Sequence, residues 1–494
     1  MTAPLLYDVT VLGGGPAGAA CASLLARWGH RVQLLTRPPR GPSLAESLTP
    51  SCGKLLEQIG VLGAINSEGF IRSTGHTVRW GGGVARVERF AHGVCGWQVL
   101  SSDLESVLLR EARTAGVRVH RSANVRRVVQ SDDGLWRISY EARETLRHVS
   151  SRWVMDCTGR SGVMSRATSG RVPSGARTTA IVGLWQRRPS WALDDESQTY
   201  VESYAGGWAW SVPVSKTRRQ VTVMLDPART AVAGRRRLAT TYREELARTS
   251  MMRDMTLCAR LVGAPWGREA SSYTCDAPAR PRLLLVGDAS SCVDPLSSYG
   301  VKKALASAWL GAVVVHSCLG DASLEAPATG LFVARERAMV ASLRGQLGAL
   351  AREAADAHAA GFWSDRTESE EQSIADEPDV AALRADEGVR TAFDAMRRAP
   401  SLSLRRAADV RQTPLPLVIA NRVVLSAHLV SAAFPNGIRY LRNVDLLALV
   451  QLAPRHAQVP ELYAAYGEAV GQAPLPDVLA ALAVLVAKGL LEAG

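Results

Sequence analysis

The sequence predicts an α/β fold with a Rossmann-like N-terminal domain, a β-rich middle and a helical C-terminal region. Three observations lead to this fold class. Residues 7–35 alternate a strand, a glycine-rich turn, a helix and a second strand, a βαβ unit that implies a parallel sheet. Residues 180–227 alternate apolar and polar positions, as antiparallel strands do. The segments 301–319 and 331–363 are helical by pattern and length.

The turn between the first strand (7–12) and the first helix (17–28) carries a phosphate-binding pattern. It satisfies GxGxxG, and its residues are Gly13, Gly14, Gly15, Pro16, Ala17 and Gly18. Gly13 permits a tight turn, Gly15 lets the backbone approach a pyrophosphate, and Gly18 lets the helix pack on the strand. The helix N-terminus faces the phosphate charge. This context, more than the pattern itself, predicts a dinucleotide site.

The ribose end of this site departs from the usual pattern. Where an acidic residue usually follows the second strand, the sequence has Thr36 and then Arg37. A threonine can hydrogen-bond a hydroxyl group, but without charge. The arginine often found before the first long helix of such proteins is also missing, and Ser101 stands there. We therefore expect a weakened ribose contact within an intact dinucleotide site.

A second cofactor segment lies about 270 residues further along the chain. A strand ends at Gly287 and Asp288, and Asp288 is placed to accept a hydrogen bond from a cofactor hydroxyl. Pro295 stiffens the loop, and Gly300 lets the backbone come close. A helix that begins near Val301 directs amides and its positive end at an electron-rich ring that becomes anionic on reduction. Two such sites on one chain match FAD better than NAD.

Three motifs together resemble the FAD-dependent monooxygenases with the aromatic-hydroxylase fold. They are the glycine turn, "VGDASSCVDPLSSYGVKKAL", and "DCTGRSG", in which Asp156 and Gly159 are expected to close over the dinucleotide. "AESLTPS" and "GWAWSVP" are similar to the branch that contains tryptophan halogenases and their non-halogenating relatives. Within this branch, the strongest resemblance is to the flavoproteins that mature the peptide-borne tryptophylquinone cofactor of enzymes such as quinohemoprotein amine dehydrogenase. The stretches that carry it are "VESYAGGWAWSVPVS" and "DPLSSYGVKKAL".

The resemblance to halogenases can be tested within the sequence. It implies a lysine that carries hypohalous acid from the flavin to the indole, in a stretch that ends with tryptophan. The matching stretch, "GFIRSTGHTVRW", contains no lysine; His76 lies near the expected position, and Lys54 is on the preceding helical segment. Without an amine relay, we expect hydroxylation in place of halogenation. His76 is then a general base or hydrogen-bond donor, or a structural strand histidine.

The remaining chemistry is that of reduced flavin and O2. The resemblance implies a C4a-hydroperoxyflavin that is attacked by an electron-rich aromatic ring, in a chamber that excludes water. Trp208 and Trp210 are two apart in a predicted strand, so both project to one face. Their place between the FAD segments predicts a chamber wall, with ordinary core packing as the alternative. The polar candidates near the cofactor are Glu46, Ser47, Thr49 and Tyr299.

These expectations combine into an FAD-dependent monooxygenase that hydroxylates an indole ring, with a tryptophan side chain of a precursor polypeptide as the leading substrate. A halogenase or a small-molecule indole hydroxylase of a biosynthetic pathway stays open as an alternative. A non-catalytic flavin scaffold or winged-helix regulator is the third hypothesis. NAD(P)H reduces the flavin directly or a partner reductase delivers reduced flavin; the chain has no second GxGxxG unit.

The predicted domains follow from these segments. Residues 1–180 and 270–340 form a split FAD-binding domain, and 181–269, with about 65–100, form a β-rich substrate domain. Residues 341–494 form a helical C-terminal region that ends in a winged-helix-like element. Because this element offers little basic face, we expect packing or polypeptide docking there and no nucleic-acid binding.

Composition limits the partners and the location. The net charge is +12, but only five basic residues are lysines, which indicates coding bias more than a nucleic-acid surface and leaves an acidic or polypeptide partner as the alternative. The eight cysteines form no CxxC pair, so neither a metal site nor a disulfide framework is expected.

The longest apolar stretch, 304–315, is too short to span a bilayer, and the N-terminus enters a strand at once. We expect a cytoplasmic protein; the acidic segment 364–379 is predicted to be a linker.

Overall fold

The computed structural model describes residues 5–38, 41–168, 170–188, 190–230, 235–358, 361–367, 380–399 and 401–493. Most of the predicted linker at 364–379 therefore lies outside the described residues. The chain divides into two compact units. Unit 1 comprises Met1–Glu325 and Met339–Ser373, and unit 2 comprises Ala326–Ala338 and Ile374–Gly494.

The first part of unit 1 alternates strands and helices. In chain order these are β1 (Leu5–Leu12), α1 (Pro16–Arg27), β2 (Val32–Thr36), β3 (Ala45–Leu48), α2 (Gly53–Ile59), α3 (Leu62–Ser67), β4 (Ile71–Ser73), β5 (Gly75–Arg79), β6 (Arg86–Arg89), β7 (Gly96–Leu100), α4 (Ser101–Thr114), β8 (Arg118–Arg121), β9 (Ala123–Gln130), β10 (Trp136–Ala142) and β11 (Thr145–Asp156). The βαβ unit at the start of the chain is confirmed.

The middle of the chain is rich in strands, and two long helices follow it. In chain order these elements are α5 (Ser165–Thr168), β12 (Arg171–Ser174), β13 (Thr179–Gln186), β14 (Thr199–Tyr204), β15 (Gly207–Ser215), β16 (Arg218–Leu225), α6 (Arg235–Arg248), α7 (Met251–Thr256), β17 (Arg260–Leu261), β18 (Trp266–Glu269), β19 (Ser272–Cys275), β20 (Ala279–Arg280), β21 (Leu283–Leu285), β22 (Ser291–Cys292), α8 (Gly300–Gly320), α9 (Glu325–Ala357) and α10 (Gly361–Ser364).

The first sheet of unit 1 is the parallel sheet that the sequence predicts. Its order is β20-β21-β11-β1-β2-β8, with β10 and β9 attached beside β11. β1 runs parallel to both β2 and β11, and Leu12 is in register with Leu35 on one side and Asp156 on the other. The carboxyl ends of the three strands therefore meet at one edge. Because α1 begins with small residues that are buried, it packs closely between this sheet and α8.

The second sheet carries the β-rich middle of the chain. Its order is β17-β13-β16-β15-β14-β5-β6, and β18 also pairs with β13. Neighbouring strands are antiparallel except β14 and β5. Its core includes Tyr242 of α6, whose hydroxyl donates to the Val221 carbonyl at 2.9 Å and accepts from the Trp185 indole at 2.9 Å. From the segment 65–100, β5 and β6 join this sheet, whereas β4 and β7 form a small sheet with β3.

Helix α8 is a core helix of unit 1. Among the described residues it is long and apolar enough to cross a membrane, and two later helices, Val459–Val470 and Leu475–Ala487, pass that test only as one bent pair. However, 72% of the apolar window of α8 is buried inside the protein, where the helix packs against α1 and α2. This burial agrees with the core helix predicted from the apolar stretch.

Unit 2 combines helices with a long hairpin. Its elements after α9 are α11 (Val380–Ala385), α12 (Glu387–Arg398), β23 (Leu404–Arg406), β24 (Arg411–Ile419), β25 (Arg422–Val430), β26 (Tyr440–Leu441), β27 (Val444–Asp445), α13 (Leu446–Leu452), α14 (Val459–Val470), α15 (Leu475–Ala487) and β28 (Leu491–Ala493). The predicted helical region is present, and the antiparallel pair of β24 and β25 is an addition that the sequence did not indicate. Pro414 and Pro416 lie within β24, and prolines argue against a strand except at a sheet edge.

Candidate functional site

The glycine turn opens a cavity at the joint edge of β1, β2 and β11. The cavity has a volume of about 430 Å³, which lies in the range of small-molecule sites. It brings together Gly13, Gly14 and Gly15 of the predicted turn with Thr36, Arg37 and Gly159, whereas Pro16, Ala17 and Gly18 are not among its lining residues. Its lining residues are Gly13, Gly14, Gly15, Leu35, Thr36, Arg37, Pro38, Glu105, Ala123, Asn124, Val125, Cys157, Thr158, Gly159, Ser161, Val163 and Arg268. We call it the dinucleotide cavity.

The glycines of this turn fit the roles that a dinucleotide requires. Gly13 has a φ of +100°, and a Cβ there would lie 2.3 Å from the Cys157 carbonyl oxygen. A Cβ on Gly18 would lie 2.0 Å from the Gly13 carbonyl oxygen, so the helix passes directly over the turn. At Gly15, the residue before α1, a Cβ would meet no atom within 4 Å. The space that a pyrophosphate would occupy is therefore open beside a helix N-terminus.

The ribose end has an acidic residue that the sequence interpretation missed. The Thr36 hydroxyl donates to the Arg37 carbonyl at 3.2 Å, which leaves its oxygen lone pairs as acceptors. Glu105, on α4, lines the same cavity. Burial raises the pKa of Glu105, and the charge of Arg121 opposes that shift. Glu105 can accept hydrogen bonds from ribose hydroxyls in place of the absent acid; its position one turn into α4 was the available signal.

Asp156 stabilises the turn after β11. Its Oδ1 accepts hydrogen bonds from the Thr158 amide at 3.0 Å and the Thr158 hydroxyl at 2.6 Å, and its Oδ2 accepts from the Met164 amide at 2.7 Å. The carboxylate is fully buried and is not among the residues that line the dinucleotide cavity. Asp156 therefore positions Thr158 and Gly159, which do line it.

The Gly-Asp turn after β21 forms the second half of the site. Gly287 has a φ of +64°, and its amide donates to the Ser307 hydroxyl of α8 at 2.9 Å. Asp288 contacts the ammonium group of Lys303 at 3.4 Å. The Lys303 side chain is completely buried and also donates to the Ser291 carbonyl. Sequence interpretation missed Lys303, because a lysine in the first turn of a helix usually extends into solvent.

Strand β3 brings two polar side chains to this half of the site. Burial first and the negative charge of Asp288 second together raise the pKa of Glu46 to about 7. Glu46 therefore lies within electrostatic range of Asp288. Within the described ranges, the hydroxyl oxygen of Ser47 is buried and has no hydrogen-bond partner, and the same is true of Ser291. Buried polar atoms usually have partners, so these orphaned hydroxyls fit a ligand with polar edges.

The loop before α8 approaches the same region. Asp294 accepts a hydrogen bond from the Leu296 amide at 3.0 Å, so it caps the short turn that begins at Pro295. Burial raises the pKa of Asp294 to about 6. Gly300 begins α8, and a Cβ there would meet open space. The Tyr299 ring lies under the ammonium group of Lys302 at 4.7 Å. The helix begins at Gly300, one residue before the predicted Val301.

A second cavity, of about 120 Å³, lies against the second sheet, and we call it the aromatic cavity. Trp208 lines it and is 3% exposed. Trp208 and Trp210 stack with ring centroids 4.6 Å apart at 23°, which confirms that they share one face of β15. Its lining residues are Ser174, Gly175, Ala176, Thr178, Trp208, Ser272, Val293, Asp294, Leu296, Arg344, Leu347, Gly348, Ala351, Phe362, Trp363, Asp365 and Arg366.

Helix α10 forms the wall opposite Trp208. Phe362 and Trp363 pack edge to face with centroids 5.0 Å apart, and the Trp363 indole donates to the Tyr204 carbonyl at 2.9 Å. The Arg366 guanidinium lies 3.7 Å from the Phe362 ring centroid and donates to the Thr178 hydroxyl at 2.9 Å. These contacts hold the two rings in place against the second sheet.

The structure places His76, Trp210 and Tyr299 outside the lining of the aromatic cavity. His76 lies on β5, where its ring packs edge to face on Phe90 with centroids 5.2 Å apart. Burial lowers the pKa of His76, and Glu88 opposes this shift. A neutral imidazole packed on a phenyl ring is typical of a structural strand histidine. The aromatic cavity thus unites Trp208 with Phe362 and Trp363, which sequence interpretation did not single out.

A cofactor that extends from the glycine turn to the start of α8 would account for both halves of the site, and this arrangement defines an FAD-binding flavoprotein. The comparison with known families agrees. The chain belongs to the FAD binding domain family, whose model matches residues 6–312. The predicted FAD cofactor is thereby confirmed, and a flavin-dependent halogenase of Armillaria mellea is among the similar proteins.

Relatives and solved structures locate the chain within flavin-dependent enzymes. It is 27% identical over 349 residues to a tryptophan 2-halogenase of Chondromyces crocatus, and the match covers 67% of this chain and 65% of that protein. This chain therefore spans less than two thirds of the length of that relative. The flavin-dependent halogenase CmlS superposes with a TM-score of 0.77 at 21% identity over 99% of this chain and 96% of that chain. The peptidyl tryptophan dihydroxylase QhpG superposes with a TM-score of 0.70 at 22% identity over 98% and 99%. The predicted resemblance to the tryptophan-halogenase-like branch and the predicted fold are confirmed.

Proposed function

We propose that this chain is an FAD-dependent monooxygenase that hydroxylates an electron-rich aromatic ring, with a tryptophan side chain of a polypeptide as the substrate. The observation that carries the proposal is the composition of the aromatic cavity. Rigid aromatic side chains line it, and among the described residues that line it no lysine is present. FAD, when bound and reduced, supplies the activated oxygen from O2.

The aromatic walls suit the orientation of a planar substrate. Trp208 and Phe362 lie on two elements that line one narrow space, and aromatic rings prefer offset or edge-to-face packing on one another. The ring of Trp210 stacks on the ring of Trp208 and so supports its position. Such walls hold an indole in one orientation and keep water out, which an oxygen-transfer reaction needs because the oxidant otherwise decays.

The absence of an amine favours hydroxylation over halogenation. The resemblance to halogenases implies a lysine that holds hypohalous acid next to the indole. The cations in the cavity lining are Arg344 and Arg366, and the guanidinium of Arg366 is already bonded to the Phe362 and Arg177 carbonyls. A guanidinium group stays protonated at every working pH, so it cannot act as the nucleophilic amine.

The polypeptide substrate is supported by the likeness to QhpG, a peptidyl tryptophan dihydroxylase that is essential for tryptophylquinone cofactor biogenesis. Its fold covers both units of this chain. The electron source is NAD(P)H or reduced flavin from a partner reductase, and we expect the protein to be cytoplasmic. A small aromatic molecule is the alternative substrate.

The test uses the full chain loaded with FAD, a flavin reductase, O2 and bromide or chloride. Candidate substrates are tryptophan, indole and tryptophan-containing peptides, and products are read by mass spectrometry. We expect a mass gain of one or two oxygen atoms on a peptide tryptophan. Hydrogen peroxide formed without substrate, but no oxygenated product from any indole, contradicts the proposal.

Halogenation is the second candidate function. The tryptophan 2-halogenase is among the similar proteins, and the "GWAWSVP" stretch resembles the branch that contains such halogenases. The same incubation decides between the two. A product with the bromine or chlorine isotope pattern shows halogenation and refutes the argument from the missing lysine.

A further inference from the structure

A third cavity of unit 1 concentrates positive charge away from the two cavities described above. Its volume is about 370 Å³, and we call it the arginine cavity. It shares no lining residue with the dinucleotide cavity or the aromatic cavity. Its polar lining residues are Arg113, His120, Arg121, Arg143 and Arg147. They come from the end of α4, from β8, and from β11 with the turn that precedes it.

The arginines of this cavity are not neutralised by acidic side chains. In the part of the chain that the structure describes, the guanidinium groups of these four arginines form no hydrogen bond and no ion pair. Two nearby arginines do pair: Arg110 of α4 contacts Glu68 at 2.8 Å, and Arg126 of β9 pairs with Glu141. The four arginines of the cavity therefore carry positive charge that no ion pair among the described residues offsets.

The pKa of His120 also reflects the positive charge around this cavity. Burial is the main cause that lowers its pKa, and the positive charges of Arg118 and Arg147 lower it further. Glu105 interacts with Arg121, and Glu144 follows Arg143 in the turn before β11. Four guanidinium groups outnumber these two carboxylates, so the cavity favours an anionic ligand.

The backbone of one of these arginines, Arg143, has a positive φ, which is an unfavourable conformation for this residue type. Arg143 and Glu144 form the turn between β10 and β11 with φ values of 51° and 61°. Turns of this kind strongly prefer asparagine and glycine, because both central residues have positive φ. An arginine in this conformation is uncommon, and strained backbone concentrates where a side chain has a binding role.

We propose that the arginine cavity binds a small molecule that carries a phosphate or pyrophosphate group, a site that goes beyond the proposed oxygenation. Guanidinium groups match phosphate oxygens through paired N–H donors. The concave shape and a volume of about 370 Å³ suit a small ligand, whereas an acidic polypeptide would need an extended basic surface. Val119 and Ala142 add apolar walls against which such a ligand can pack.

The test measures inorganic pyrophosphate binding to the full, FAD-loaded chain by isothermal titration calorimetry at low salt. We expect saturable binding to one site. The double variant Arg121→Gln with Arg147→Gln should weaken it by at least about tenfold, because two charge-assisted contacts are lost. The matched control Arg126→Gln, on the same sheet but paired with Glu141, should bind as the wild type does. Unchanged flavin content and melting temperature show that each variant is folded.

Two further arms identify the source of the phosphate. If NADPH binds more tightly than NADH, and only the double variant removes the difference, the ligand is a 2′-phosphorylated nicotinamide donor. If the two bind equally while pyrophosphate binding persists, the site takes another phosphorylated small molecule. The proposal is overturned if pyrophosphate does not saturate, if the double variant binds it like the wild type, or if poly-glutamate binds to the cavity more tightly than pyrophosphate.

Discussion

The dinucleotide cavity is formed largely by backbone, whereas the aromatic cavity is formed by large side chains. In the first, the closest approaches are between glycines and carbonyl groups, such as Gly13 and Cys157. In the second, Trp208, Phe362 and Trp363 supply the walls. Gly13 and Gly18 admit no added atom, while side-chain walls can change size and shape by substitution. The dinucleotide cavity is therefore the part that tolerates substitution less, and the aromatic cavity is the part whose size and shape substitutions can alter.

Removing the ring of Trp208 is the strongest way to break the side-chain cavity. Trp208→Ala leaves a void in a buried position, and the expected loss in the free energy of unfolding is about 3–5 kcal/mol. Trp208→Phe keeps an aromatic wall and should lose less than half of that amount. Urea unfolding measures both changes. Flavin content in the folded fraction should stay at the wild-type value, since Trp208 does not line the dinucleotide cavity.

If Trp208→Phe loses FAD while its unfolding free energy stays near that of the wild type, the two cavities are not separate in function. The comparison between backbone and side-chain construction would then be wrong for this protein.

Two alanine substitutions two residues apart test the backbone cradle. Gly13→Ala places a Cβ 2.3 Å from a carbonyl oxygen, at a φ of +100°. The strain and the clash together should cost about 2–4 kcal/mol and abolish FAD retention. Gly15→Ala meets no atom within 4 Å, so its apoprotein should keep the wild-type melting temperature while it binds FAD more weakly. Melting temperature and bound flavin are the measurements. Equal losses of stability in the two variants would contradict the cradle geometry.

The same difference explains what the sequence could predict. The glycine turn is encoded by local spacing, so its strand, turn and helix were predicted within two residues. The contact of Trp208 with Phe362 joins segments about 150 residues apart, and no local pattern encodes it. Asp156 was expected to close over the dinucleotide, yet its carboxylate bonds to its own turn. Both roles place an acid at a strand end, so the sequence does not distinguish between them.

The acidic half of the cofactor site should make stability depend on pH. The pKa of Glu46 rises from its ordinary 4.5 to about 7 because of burial first and the charge of Asp288 second. Between these pH values the folded protein binds a proton that the unfolded chain releases. The free energy of unfolding therefore falls as pH rises from about 4.5 to about 7, by at most about 3 kcal/mol.

Glu46→Gln keeps a neutral side chain at this position and should flatten that part of the pH profile, measured by urea unfolding of the apoprotein. Glu57→Gln, on the exposed side of α2, is the control and should keep the wild-type slope. A slope that is unchanged in Glu46→Gln would show that another group causes it.

The smallest expected effect concerns Lys303, whose buried side chain contacts the cofactor turn. Its ammonium group holds Asp288 at 3.4 Å and also donates to the Ser291 carbonyl. Lys303→Met retains the apolar stem in a buried position, so the fold should persist, but Asp288 loses the cation that orients it. We expect the Kd for FAD to rise about tenfold, measured by flavin fluorescence. Lys302→Met is the matched control, because Lys302 packs on the Tyr299 ring. An equal rise in Kd for both variants would mean that positive charge near α8, and not the orientation of Asp288, controls FAD binding. Side chains would then contribute to binding in the cofactor site, as side chains do in the aromatic cavity.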